Sequence, residues 1–216
     1  MRPAMMASAR RSVVGVALAA ALATAGCGDR AGTPAVRNVV LVSIDTCRAD
    51  RIGAYGAAGD PTPRIDEIAR GGTRFDRAYS PAPITLPSHA TMLTGTIPPF
   101  HGLHDNGEGR LGDDHVTIAE RLRDGGFETG AVVGSFVLDA RFGLDQGFDL
   151  YDDRVPRSGG AEWIDQRRGA DVTDAALGWL ESRGERPFFL FVHYFDPHML
   201  YDPPEPFRSR FEDDPY

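Results

Sequence analysis

The chain has 216 residues, 42% of them hydrophobic and 25% charged. These are the proportions of a packed globular protein, not of a disordered, collagenous or coiled-coil one. Its formal charge is -8, and setting aside the leader arginines Arg2, Arg10 and Arg11 makes the body more acidic still. Such a body repels phosphate backbones, so no nucleic-acid polymer is expected as a partner. All 23 basic residues are arginine, which excludes Schiff-base, lysine-base and P-loop-lysine chemistry. The two cysteines, Cys27 and Cys47, make no disulfide framework.

The chain opens on an address. Arg10 and Arg11 precede an apolar run from Val13 to Ala25, too short for a bilayer but suited to a signal-peptide core. Ala23-Thr-Ala-Gly-Cys27 resembles a bacterial lipoprotein signal, in which Cys27 is lipidated and becomes the new N-terminus; ordinary secretion with an incidental Cys27 is the alternative. Residues 1–26 are thus expected to be a lipoprotein-type signal peptide, 27–37 a tether rich in small residues, and 38–216 the folded domain. The expected location is exported and membrane-anchored, on a bacterial cell envelope.

Val39 to Ile44 is a continuous, mostly β-branched apolar run that predicts a strand buried on both faces. Residues 63–71 follow as a helix, with Pro63 in its first turn and Gly71-Gly72 after it. Pro87 to Leu93 predicts a second helix closed by Gly95, and residues 116–124 a third, capped by Asp114. Phe127 to Val133 returns as a strand, residues 171–183 as a helix, and Phe188 to Tyr194 as a strand. Strands alternating with helices predict an α/β fold with a largely parallel sheet flanked by helices, whose ligands gather at the carboxyl ends of strands.

Two strands end in polar residues: Asp45-Thr46, and the stretch from His193 through His198. A carboxylate at Asp45 can hold a divalent cation, or can simply shape a turn. In Pro83-Ile-Thr85-Leu-Pro87-Ser88-His89, Thr85 or Ser88 can cap a helix. Alternatively, Thr85 sits at the positive end of that helix, with backbone N–H groups aimed at the same spot, where a metal would activate its hydroxyl as a nucleophile.

Val42-Ser-Ile-Asp-Thr-Cys-Arg-Ala-Asp-Arg-Ile-Gly-Ala-Tyr-Gly56 resembles the opening strand and loop of sulfatases. Thr62 to Tyr79 is similar to the next sulfatase segment, Pro83 to Gly95 and Pro98 to Gly107 to the nucleophile helix and the turn after it. Gly125 to Gly130, Gly147-Phe-Asp149 and His193 to Phe207 also fit. The resemblance covers roughly residues 37–216 and implies an alkaline-phosphatase-like α/β fold and metal-dependent hydrolysis of sulfate or phosphate esters. It implies Asp45 and Thr85 as metal ligands, Thr85 as a catalytic residue, and Asn106 and His198 as substrate contacts; His89, one helical turn beyond Thr85, is a further catalytic candidate that either faces the same pocket or merely packs. The cation is expected to be Ca, Mg, Mn or Zn, and the substrate an anionic ester.

The chain also departs from the sulfatase pattern. Sulfatases place an oxidisable cysteine or serine in Cys/Ser-x-Pro-x-Arg, where this chain has Thr85-Leu-Pro-Ser-His89. Threonine and histidine there, followed by a His-Gly turn and Asn106, resemble nucleotide pyrophosphatase/phosphodiesterase relatives, which use threonine directly. A phosphodiesterase or phosphotransferase of the same superfamily is therefore one alternative, and a non-catalytic binding lipoprotein or inactive fragment another. Thr46 replaces a frequent second aspartate, and Ser135 lies near the place of a sulfatase lysine. The chain matches the N-terminal half of the sulfatase domain, so by itself it is expected to be incomplete and nearly inactive. His101 is expected to fix a turn, His104 and His115 to be solvated, His193 to sit in the core or at the rim, and Cys47 to be a small packing residue.

Overall fold

The computed structural model describes residues 37–157, 159, 165–199 and 201–210. The expected signal peptide, Cys27 and all of the tether but Arg37 lie outside the described residues. The described elements belong to one unit, Arg37–Tyr216.

The sheet has four strands: β1 (Asn38–Ile44), β2 (Glu128–Val133), β3 (Leu150–Asp152) and β4 (Phe188–Tyr194). They pair in the order β1-β4-β2-β3, every pair parallel. Six α-helices are described: α1 (Pro63–Gly71), α2 (Thr85–Thr94), α3 (Pro98–His101), α4 (Ile118–Asp124), α5 (Gly169–Ser182) and α6 (Phe207–Arg210). The expected alternation of strands and helices is present, with one strand, β3, that three residues were too few to announce. Among the described residues no helix is long and apolar enough to cross a membrane.

The strand buried on both faces is β4, not β1. Phe189 and Phe191 join Leu86, Ala90 and Leu93 of α2 in one core, while Phe188, Leu190 and Val192 pack with Val172, Ala176 and Trp179 of α5 in another. Both faces of β4 are thus covered, as its unbroken apolar run requires. In β1, Val39 and Leu41 reach the core, but Val40 and Val42 remain 53% and 51% exposed. The reason is position: among the described residues β1 stands at the sheet edge, bonded to β4 alone, and α5 packs over β2 and β4 instead. Gly130 permits that packing, because a Cβ there would lie 2.6 Å from the Trp179 ring.

Two helix starts also differ from expectation. Helix α4 is capped by Thr117, not Asp114: the Thr117 hydroxyl accepts from Glu120 N–H and the Glu120 carboxylate accepts from Thr117 N–H. This reciprocal box satisfies two first-turn donors at once. Helix α2 begins two residues before Pro87, at Thr85, with no side-chain cap from either Thr85 or Ser88. Pro87 fits there because a first-turn N–H has no intrahelical acceptor to lose.

Candidate active site

Parallel pairing brings the ends of β1, β4 and β2 to one edge of the sheet. Asp45 follows β1 directly, its N–H still donating to Tyr194 O at 2.9 Å. The next residue, Thr46, turns the chain with φ of 51°. A β-branched residue in that left-handed region is strained. The turn aims the Asp45 carboxylate at the start of α2, where Thr85 Oγ1–H donates to Asp45 Oδ2 at 3.1 Å. A cleft of about 480 Å³ opens here, lined by Asp45, Thr46, Thr85, Ser88, Asn106 and His198 among others.

Asp45 also meets a residue that sequence reasoning left between core and rim. The His193 ring is fully buried, and its Nε2 lies 3.3 Å from Asp45 Oδ2. Gly134 N–H points at His193 Nδ1 from 3.4 Å, so Nδ1 accepts and Nε2 carries the proton toward Asp45. Burial works to raise the Asp45 pKa, but the hydrogen bond from His193, followed by that from the Thr85 hydroxyl, holds the carboxyl below its ordinary value. The signal for His193 lay in strand register: parallel pairing puts it opposite Ser43, two residues before Asp45.

His89 lies one turn beyond Thr85 and is buried, as its helical spacing allows, but both of its nitrogens are engaged away from the Thr85 hydroxyl. Nδ1 is 2.7 Å from the Thr85 carbonyl, which can only accept. Nε2 therefore accepts from the Ser43 hydroxyl at 2.9 Å. Burial, then the neighbouring His193, pushes the His89 pKa down to about 4, so the ring is neutral near pH 7. His89 thus lines the same cleft as Thr85, while both of its ring nitrogens bond to Thr85 O and Ser43.

The expected cluster of free N–H groups at the α2 start is also corrected. Leu86 N–H donates to Asn106 Oδ1 at 2.8 Å, Ser88 N–H to Ile84 O at 3.1 Å, and Pro87 has none. Asn106, expected as a substrate contact, thus lines the cleft while its carbonyl oxygen supports the helix that presents Thr85.

His198 sits beyond β4, its ring stacked on buried Phe195 with centroids 4.2 Å apart. Its Nδ1–H donates to Met199 O at 2.8 Å, which leaves Nε2 without the proton in the neutral ring. Asp196, two residues earlier, accepts from Gly169 N–H at 2.8 Å, fastening the His198 loop to the N-terminus of α5. His101 accepts from Leu103 N–H at 3.2 Å and reaches Thr91 Oγ1 at 3.1 Å, holding the turn between α3 and Asn106. Ser135 is fully buried, and its hydroxyl has no hydrogen-bond partner among the described residues. Burial pushes the Cys47 thiol up, keeping it protonated.

The model for the sulfatase family matches residues 37–215. The chain belongs to the sulfatase family. N-acetylglucosamine-6-O-sulfatase of Bacteroides thetaiotaomicron is 29% identical in an alignment of 199 positions that covers 85% of this chain and 35% of that protein. Human arylsulfatase A is 36% identical over 98 residues, 43% of this chain and 19% of that protein. A solved structure of a protein with its substrate D-glucosamine-2-N,6-O-disulfate superposes with a TM-score of 0.70 at 25% identity, covering 83% of this chain and 38% of that one. The phosphonate monoester hydrolase of Agrobacterium radiobacter shares the fold, with a TM-score of 0.67 at 22% identity over 83% of this chain and 45% of that one. The chain spans about a third or less of the length of these two curated relatives.

Sulfatase membership raises the question of a divalent cation. The chain offers one acidic donor, Asp45, and one hydroxyl, Thr85, side by side, the hard oxygen chemistry that such cations take. No group of three His, Cys, Asp or Glu side chains able to hold a metal occurs among the described residues. The pair fits as two members of an oxygen donor set, not as a closed cage.

Proposed function

We propose that this sulfatase-family chain forms the nucleophile-bearing part of a metal-dependent hydrolase of sulfate or phosphate esters, with Thr85 as nucleophile. The hydrogen bond from Thr85 Oγ1 to Asp45 Oδ2 within the cleft carries the reading. Asp45 orients the hydroxyl so that its oxygen lone pairs face the bound ester. Thr85 Oγ1 bonds to the sulfur or phosphorus as the alcohol departs, and the Thr85 proton passes to the Asp45 carboxylate. In its protonated form, His198 donates from Nε2 to the departing oxygen. Water then cleaves the threonine ester, releasing sulfate or phosphate and restoring the hydroxyl. Asp45 and Thr85 would hold a divalent cation (Ca, Mg, Mn or Zn), which would lower the hydroxyl pKa and offset charge on the ester oxygens.

The sulfatase names among the relatives, and the sulfated glucosamine bound in one similar structure, support a sulfated sugar as the first substrate class to try. The threonine itself favours the second reading, a phosphodiesterase or phosphotransferase, because it attacks directly without oxidation to an aldehyde. Paired assays on an aryl sulfate, a phosphate monoester and a phosphodiester separate the two. Thr85→Ala is expected to lower turnover by about three or more powers of ten, since the attacking atom is gone. Near-normal turnover of every cleaved ester by that variant would refute the reading. A Thr85→Cys protein that gains sulfate ester cleavage only with a formylglycine-generating enzyme would assign the scaffold to sulfate.

We also propose export and lipidation at Cys27, supported by Arg10-Arg11, the short apolar run and the small residues before the cysteine. Mass spectrometry of the mature N-terminus tests this. An intact Met1, or a free Cys27 thiol after cleavage elsewhere, overturns it.

A further inference from the structure

We infer that His193 is a positioning residue, which takes its orientation from the Gly134 N–H and uses it to select the Asp45 oxygen that faces Thr85. The inference rests on the reading of Thr85 as nucleophile. An aspartate carboxylate rotates, and its two oxygens are chemically equivalent until neighbours distinguish them. Here both polar neighbours choose the same one: Thr85 Oγ1 at 3.1 Å and His193 Nε2 at 3.3 Å each meet Oδ2. Oδ1 is thereby left for whatever enters the cleft.

His193 can play this part only as the Nε2–H tautomer, and the main chain enforces that form. Gly134 N–H is a donor with nowhere to accept, so the nitrogen it faces, Nδ1, carries a lone pair. Close approach of the two strands makes this contact possible. A Cβ on Gly134 would lie 3.0 Å from His193 O and 3.1 Å from Phe195 N, so any larger residue would push the end of β2 away from β4. The ring is fixed on its faces too, with His89 edge-on at 4.9 Å between centroids. The chain Gly134, His193, Asp45, Thr85 therefore crosses β2, β4, β1 and α2, and converts backbone geometry into the direction of one hydroxyl. Such supporting contacts behind a reacting or ligating group commonly matter to activity by about 10- to 100-fold.

Two replacements separate the two ends of the imidazole. His193→Gln keeps a donor at the distance of Nε2, toward Asp45. His193→Asn keeps an acceptor at the distance of Nδ1, toward Gly134, but its amide N–H is too short to reach Asp45. The first readout is histidine ¹⁵N NMR on the full chain. We expect His193 to be protonated on Nε2, with a slowly exchanging proton that exchanges freely in Asp45→Ala. An Nδ1–H tautomer, or no effect of Asp45→Ala, overturns the inference whatever the activity. The second readout is ester turnover with denaturant midpoints in parallel. His193→Asn should lose at least about tenfold in kcat at little cost in KM, and His193→Gln should restore most of it at a similar midpoint. Equal turnover in both variants, or losses that merely follow the midpoint, also overturns it. Thr85→Ala is the reference: if that variant turns over normally, the nucleophile reading fails, while the spectrum still decides the state of His193.

Discussion

Thr85 Oγ1 lies 3.1 Å from Asp45 Oδ2 across a separation of 40 residues in the chain. This contact links strand to helix as well as hydroxyl to carboxylate, so removing it should register in stability. Thr85→Val keeps the shape but leaves the carboxylate short of a donor, and should cost about 1–2 kcal/mol. Thr85→Ser keeps the bond, should cost less than about 1 kcal/mol, and should retain much of any turnover. Denaturant midpoints of the two variants check this, and equal midpoints would contradict the geometry.

Thr46 carries strain beside this carboxylate. Its φ of 51° suits asparagine or glycine better than a β-branched residue. Thr46→Asn should therefore stabilise the fold by about 0.5–1 kcal/mol. A higher thermal midpoint is the expected result.

Asn106 supports the helix that bears Thr85. Asn106→Ala removes the acceptor from Leu86 N–H, and should cost about 1 kcal/mol while loosening the first turn of α2. Hydrogen exchange should quicken at the Leu86 amide before it quickens in β4.

Acid stability should depend on Asp152, which ends β3. Its carboxylate meets Arg154 at 2.7 Å and Arg167 at 3.2 Å. The hydrogen bond from Arg154 is the largest influence and, with Arg167, holds the folded pKa well below the ordinary 3.8. Because the folded pKa is depressed, the unfolded chain binds this proton first as pH falls. The stabilisation is whole above about pH 4 and drains away on descent toward the folded pKa. Asp152→Asn should cost about 2 kcal/mol at pH 7 and flatten the decline below pH 4. Denaturant midpoints measured from pH 7 to pH 3 test both statements.

The α/β class and the placement of Asp45, Thr85 and His198 along one sheet edge were legible in the sequence, because apolar runs and their polar ends are local signals. The edge position of β1 was not legible. Val39 to Ile44 and Phe188 to Tyr194 are both apolar runs, and only the pairing order decides which is covered twice. The state of His89 was equally hidden. Helical spacing put it below Thr85, but its neutrality follows from burial and then from His193 on β4, far along the chain. The sequence marks Asn106 by its chemistry, yet its hydrogen bond to the backbone depends on the path of a loop that composition does not specify.

Asp45 and His193 touch across a separation of 148 residues, and this sets a timetable for synthesis. A ribosome adding about 5–20 residues per second needs on the order of ten seconds to pass from one to the other. Throughout that interval β1 has been made, but β4, its one sheet neighbour among the described residues, has not. Val40 and Val42 are then open on a nascent segment with no ladder to join, the condition in which a chain is most exposed to aggregation or chaperone capture. The candidate site thus closes at the end of translation of this region, when the last strand slides between the first and the second.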